Sequence, residues 1–171
     1  MIPPEFSRPF ALERLERGPV ADAIEADDDE RTALAARFDL VALDALTAQL
    51  TATAKGDDIL LRGELRAVGA QRCVATLDPA PFALVVEIDE RFTTRADDDQ
   101  RAEGEEGDLV ALDAPEPVDG DAIDLGELAA QALSLALDPH PRAPDAPNDA
   151  SYAEADRAPP SPFAKLAALK T

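Results

Sequence analysis

Between Ala45 and Phe92 the chain alternates apolar and polar residues almost without a break, and this restricts the fold more than any other feature. Leu46, Ala48, Leu50 and Ala52 share one parity, and Thr47, Gln49, Thr51 and Thr53 the other. Successive side chains of a strand point to opposite faces, so this is a strand with a dry and a wet side. Lys55-Gly56-Asp57-Asp58 is turn chemistry. Ile59, Leu61, Leu65 and Ala67 then fall on the dry face, and Arg62, Glu64 and Arg66 on the wet one. The odd parity continues past Gly69, a predicted bend or bulge, to Cys73, Ala75 and Leu77. Asp78-Pro79 turns the chain again. Phe82, Leu84, Val86, Ile88 and Phe92 oppose Glu87, Asp89 and Arg91. Three strands with short connections make an antiparallel meander.

The flanks supply helices. Phe10, Leu12, Val20 and Ile24 fit one or two short strands, broken at Arg17-Gly18-Pro19. EADDDERTALAARFDL predicts a helix at about 29–37, started by Asp28 and Asp29, with Leu34, Phe38 and Val41 on one face. IDLGELAAQALSLALDP predicts a second helix. Asp124 caps it, Glu127 completes a box-like pattern, and Pro139 ends it. Leu125, Leu128, Ala132 and Leu135 form its stripe, widened by Leu133 and Ala136; such a stripe covers a sheet face or meets a partner. Asp108–Ala114 reads as a last short strand.

The expected fold is therefore α+β: an antiparallel meander, able to curl into a barrel-like sheet, packed with two helices. Residues 1–139 form the domain, with an acidic loop at about 95–121. Residues 140–160 read as a flexible Pro/Ala/Asp-rich linker. Residues 161–171 read as a short helical tag: Ser161 suits the cap and Pro162 the first turn, Phe163, Leu166 and Leu169 are apolar, and Lys165 and Lys170 are basic. Such a tag either docks back on its own domain or serves as a helix-in-groove ligand on a tether.

Charge narrows the function. The 171 residues hold 16 Lys and Arg against 36 Asp and Glu, a formal net charge of −20. Phosphate binding needs a cationic face, so little direct nucleic-acid binding is expected, whereas basic partners are steered in. Asp97, Asp98, Asp99, Glu105 and Glu106, in DDDQRAEGEEGD, form a solvated loop that could meet such a partner; the ligand spacing of an EF-hand is not there. No run approaches the roughly 20 apolar residues of a membrane helix, and the first residues lack the order of a secretory signal, so a cytoplasmic setting is expected.

Chemistry-bearing motifs are missing. No phosphate-cradling glycine loop, HExxH, GxSxG or Cys/His quartet occurs, so no enzyme and no cofactor is expected. Cys73, the one cysteine, has dry-face parity and reads as a packing residue; Arg72 points to the other face and His140 lies beyond a helix. The alternative is a redox or metal-binding thiol, which would need a lowered pKa and access to solvent. A third reading is a small-ligand barrel with a pocket lined by Phe82, Leu84 and Phe92.

Three blocks in order resemble one family. AQRCVATLDPAPFALVVEIDERF resembles its cysteine-bearing strand pair, IDLGELAAQALSLALDPHPR its acidic-start helix, and SPFAKLAALK its tag. The family is the bacterial and plastid YceD-like proteins, named for large ribosomal RNA subunit accumulation. The matching positions include Gln71, Arg72, Cys73, Leu77 and Pro79, then Asp124, Leu125, Leu135, Leu137 and Pro139, then Pro162, Phe163, Leu166 and Leu169. Many relatives carry Cys-x-x-Cys in the strand, but here Ala70 stands at the first position, which puts any metal role in doubt. The resemblance implies a non-enzymatic role in producing or stabilising large-subunit RNA. With the acidity, it suggests binding to a basic ribosomal protein or assembly factor, and through it to the precursor large subunit.

Overall fold

The computed structural model describes residues 4–95, 115–118 and 120–147. The expected strand at Asp108–Ala114 lies outside them. Three long strands dominate: β3 (Ala42–Lys55), β4 (Asp58–Arg72) and β5 (Pro79–Thr93). β3 and β4 are joined through Gly56 and Asp57, with Lys55 opposite Asp58. Gly56 takes φ 66°, the left-handed geometry that a two-residue hairpin with glycine first requires.

Before these strands come β1 (Pro9–Ala11), a 3-10 helix (Leu12–Arg17), β2 (Val20–Glu25) and α1 (Asp28–Arg37). After them come β6 (Glu116–Pro117), β7 (Ala122–Asp124) and α2 (Leu125–Ala136). The main sheet has the order β2-β3-β4-β5-β6, antiparallel except for the parallel β5–β6 pair, and β1 pairs with β7 in a separate antiparallel ribbon. The class is α+β as expected, but the sheet is open: no barrel closes, and Phe82 and Leu84 are half-buried against the main core rather than lining a lumen.

The alternation read from Ala45 to Phe92 holds. Leu46, Ala48, Leu50 and Ala52 of β3, Ile59, Leu61, Leu65 and Ala67 of β4, and Ile88 and Phe92 of β5 are all buried. Leu125, Leu128, Ala129, Ala130 and Leu133 of α2 join the same cluster, with Phe6, Phe10 and Ile123. The irregularity expected at Gly69 is a bulge in its partner strand, where the register shifts between Leu43 and Ala45, while Gly69 keeps its pairing. The glycine stays in the ladder between Leu43 and Phe82, where a Cβ would press on the Ala42 carbonyl and the Phe82 ring. β4 ends at Arg72, so Ala75 and Leu77 leave the dry face, and Leu77 stands 66% exposed.

Four details of the helices differ from the sequence reading. The cap of α1 is Asp27, which accepts from the Glu30 N–H while the Glu30 carboxylate accepts from the Asp27 N–H, a reciprocal box. α1 stops at Arg37, where Asp39 turns left-handed at φ 51°, and Val41 falls beyond it. On α2 the box does not close, because the Glu127 carboxylate turns to Arg37 instead. The buried face runs through the expected Leu125, Leu128 and Leu133 and also through Gly126, Ala129 and Ala130, but Leu135 of the expected stripe stands 88% exposed.

Candidate functional site

The motif positions gather at the two ends of α2. At its C-terminal end sit Gln71, Arg72, Cys73 and Pro139. The six residues from Cys73 to Asp78 close on themselves: the Cys73 N–H donates to the Asp78 carbonyl at 2.9 Å, and the Leu77 N–H to the Cys73 carbonyl at 3.0 Å. Closing this loop puts Leu77 at φ 67°, a left-handed conformation that costs a side-chain-bearing residue roughly 1–2 kcal/mol. The chain after α2 returns to the loop. Gln71 Nε2 donates to the Asp138 carbonyl at 2.9 Å, and the Val74 N–H to the Pro141 carbonyl at 2.9 Å. Arg72 points away and is exposed.

Cys73 is the centre of this clasp. Its sulfur accepts from the Ala75 N–H at 3.4 Å, and the Ala143 N–H and the hydroxyl and N–H of Thr76 are the groups that favour its anion. These donors, Ala143 first, outweigh burial and lower the thiol to about 6. The side chain is fully shielded from solvent, yet it lies outside the main apolar cluster. A thiolate is thus stabilised, but the access that a reactive thiol requires is closed by residues 138–143. In this geometry the sulfur fastens the post-helix segment to the end of the sheet.

At the other end of α2, Asp124 and Leu125 hold the N-terminal strand. Asp124 accepts from the Ser7 hydroxyl at 2.6 Å, and from the N–H groups of Arg8 at 2.7 Å, Gly126 at 2.9 Å and Glu127 at 3.2 Å. Burial pushes its pKa up, but the hydrogen bonds, led by Ser7, prevail and lower it. The Leu125 N–H donates to the Arg8 carbonyl at 3.0 Å. A Cβ on Gly126 would lie 2.5 Å from the Phe6 carbonyl oxygen, so only glycine allows this approach. Arg8 then grips Glu30 with two bonds of 2.7 and 2.8 Å, and Arg37 grips Glu127 with bonds of 2.9 and 2.8 Å and Glu5 at 3.0 Å. Both Glu30 and Glu127 are held below the usual carboxylate range, chiefly by those guanidinium hydrogen bonds.

An acidic rim surrounds the start of α1. Glu25, Asp27, Asp28 and Asp29 are exposed and line an open concavity of about 830 Å³ with Ala26 and Arg31. Glu30 is committed to Arg8, and Asp28 to Arg31, whereas Asp29 faces solvent. The residues expected to meet a partner, Asp97, Asp98, Asp99, Glu105 and Glu106, and Phe163, Leu166 and Leu169 of the tag, lie outside the described residues. Among the described residues no three His, Cys, Asp or Glu side chains are grouped to hold a metal ion, and no helix is long and apolar enough to cross a membrane.

Sequence reasoning placed Cys73 in a shielded position but missed its donors and the return of residues 138–143. It also missed Arg37 as the bridge from α1 to α2. An arginine in the last turn of α1 was the available signal, since a helix C-terminus favours cations, but its partners lie far away in sequence.

A family model described as "Large ribosomal RNA subunit accumulation protein YceD" matches residues 61–170. The match opens inside β4 and takes in the Cys73 clasp, α2 and the segment around Phe163. Neither the curated proteins nor the solved structures gave a match.

Proposed function

The chain belongs to the YceD family of large ribosomal RNA subunit accumulation proteins, and we propose that it serves large-subunit biogenesis in the cytoplasm as a non-enzymatic accessory factor that binds a basic ribosomal protein or assembly factor. The observation that carries this reading is the acidic excess, a net charge of −20, in a family named for ribosomal RNA. A body of that sign attracts cationic protein surfaces over long range and repels bare RNA. The exposed carboxylates Glu25, Asp27, Asp28 and Asp29, together with the acidic stretch around Asp97–Asp99 and Glu105-Glu106, offer the contact. Such a partner would be screened before it meets its transcript, and the precursor particle would be reached through it.

The test is recovery from lysate with the full chain as bait, at low and at raised salt. Basic ribosomal proteins or precursor large subunits should be recovered at low salt and lost as salt screens the contact. Recovery of neither, or tight binding of purified ribosomal RNA alone, overturns the proposal.

A second reading, a thiol-dependent redox or metal-binding protein, draws support from the Cys73 pKa of about 6. Cys73→Ser separates the two. It leaves partner recovery intact if the thiol only fastens chain, and abolishes function if the thiol reacts.

A further inference from the structure

We propose that the groove between α1 and the start of β3 is the seat of this chain's own segment Ser161–Lys170, docked in cis. The groove has a volume of about 670 Å³, and Ala35, Ala36, Val41 and Ala42 line it together with the carboxylates Asp28 and Asp44. Val41 is 43% exposed there. The strand that lines the groove is paired to the next strand at the same end of the sheet. The Val41 N–H donates to the Ala70 carbonyl at 2.8 Å, Ala42 pairs with Ala70, and Ala45 pairs with Val68. Val68 is 44% and Val85 61% exposed on the wet face. Among the described residues both helices' buried side chains join the cluster on the opposite face, so these valines lie uncovered. A contiguous apolar surface of this kind marks a contact.

The tether leads to this place. Val74, four residues from Ala70, is bonded to Pro141, so the chain leaves the sheet at the end that carries Val41 and Val68. Extended chain puts at most about 14 Å between Ala70 and Val74. Residues 148–160 then separate the last described residue, Pro147, from Ser161. A chain of thirteen residues spans about 20 Å on average, a tether that would present the segment to the groove at roughly millimolar effective concentration.

The chemistry fits as well. Phe163, Leu166 and Leu169 recur at helical spacing, with Lys165 beside the stripe and Lys170 at its end. The groove offers apolar side chains together with two carboxylates, and its one cation, Arg31, is already held by the Ala26 carbonyl and by Asp28. A ten-residue helix is marginal by itself in water, so it gains its order from such a seat. The seat does not depend on the acidic-partner reading, and failure to recover a basic protein from lysate leaves it standing.

The test is methyl NMR on the full chain with valine labelling. A docked Phe163 ring displaces the Val41 and Val68 methyl signals, and Phe163→Leu should return them towards ordinary values while Val20 and Val118 stay in place. Lys165→Glu with Lys170→Glu should move the same signals part of the way. A mixture of labelled and unlabelled chains identifies the occupant: contacts within one chain support the proposal, and contacts only between chains assign the groove to a second copy and overturn it. Val41 and Val68 signals indifferent to Phe163→Leu also overturn it. These changes lie in a segment that contributes nothing to the described core, so misfolding of the domain does not obscure the result.

Discussion

The two ends of α2 are fastened by different physics. At Asp124 a carboxylate collects four donors, two ion-paired arginines stand beside it, and Phe6, Phe10 and Leu125 are buried underneath. At Cys73 a single sulfur is favoured as an anion by the donors around it, outside the main cluster. The first end is part of the cooperative core. The second is a local clasp on a segment that bears little apolar surface. Stability in a folded chain is uneven in this way, and the weaker unit opens without the rest. Motif positions at both ends therefore look alike in sequence and differ in what they do.

The comparison breaks first at the Asp124 end. Asp124→Ala removes a helix cap and leaves the Arg8 N–H without its acceptor, so a loss of about 2–3 kcal/mol in urea unfolding is expected. Gly126→Val pushes a side chain into the Phe6 carbonyl and should cost about 1–3 kcal/mol, with detachment of β1 visible by amide exchange. Unchanged urea midpoints for both would mean that this end is not part of the core.

Acid attacks the same end next. Asp124, Glu30 and Glu127, with Asp22 held by Arg14, all have pKa values lowered on folding. The native state therefore binds fewer protons than the unfolded chain around these values. Their contribution is complete above about pH 4.5, the ordinary carboxylate range, and is lost as pH falls through the lowered values. Urea midpoints should be flat near neutrality and drop below about pH 4, less steeply in Arg8→Met and Arg37→Met, which have less to lose. A midpoint that rises on acidification would contradict the assignment.

The strands were legible because period two is a local signal: the parity groups of β3, β4 and β5 were found where the alternation put them, and the reading failed only past Arg72, where β4 ends and Ala75 and Leu77 leave the dry face. The α2 stripe was legible at Leu125, Leu128 and Leu133, which are buried, and at Ala132, which packs against them. It failed only at Leu135, which stands in solvent, and the close approach of the Phe6 carbonyl to Gly126 was not legible. Leu135→Lys should accordingly shift stability by less than about 0.5 kcal/mol, whereas Leu133→Ala, fully buried two residues earlier, should cost about 2–5 kcal/mol. The clasp and the Arg37 bridge were not legible at all. Gln71 meets Asp138 across 67 positions and Arg37 meets Glu127 across 90, and no local period encodes a pairing at that range.

The smallest global effect belongs to Cys73. Its sulfur has a pKa of about 6 in the clasp, against an ordinary 9.0, so the closed form binds fewer protons than the open one between those values. The clasp is therefore fully strengthened above pH 9.0 and loses that support as pH falls through about 6, where protonation removes the anion that Ala143 and Thr76 donate to. Protection of the Val74 amide, which donates to Pro141, should decline as pH drops from about 8 to about 5 once intrinsic exchange is corrected for, while the core amides of β3 and β4 do not follow. Cys73→Ala should remove that pH dependence and expose residues 138–147 to proteolysis, with the urea midpoint nearly unchanged. Equal loss of protection in the core amides would place the sulfur in the cooperative unit after all, and the two ends of α2 would then be held as one.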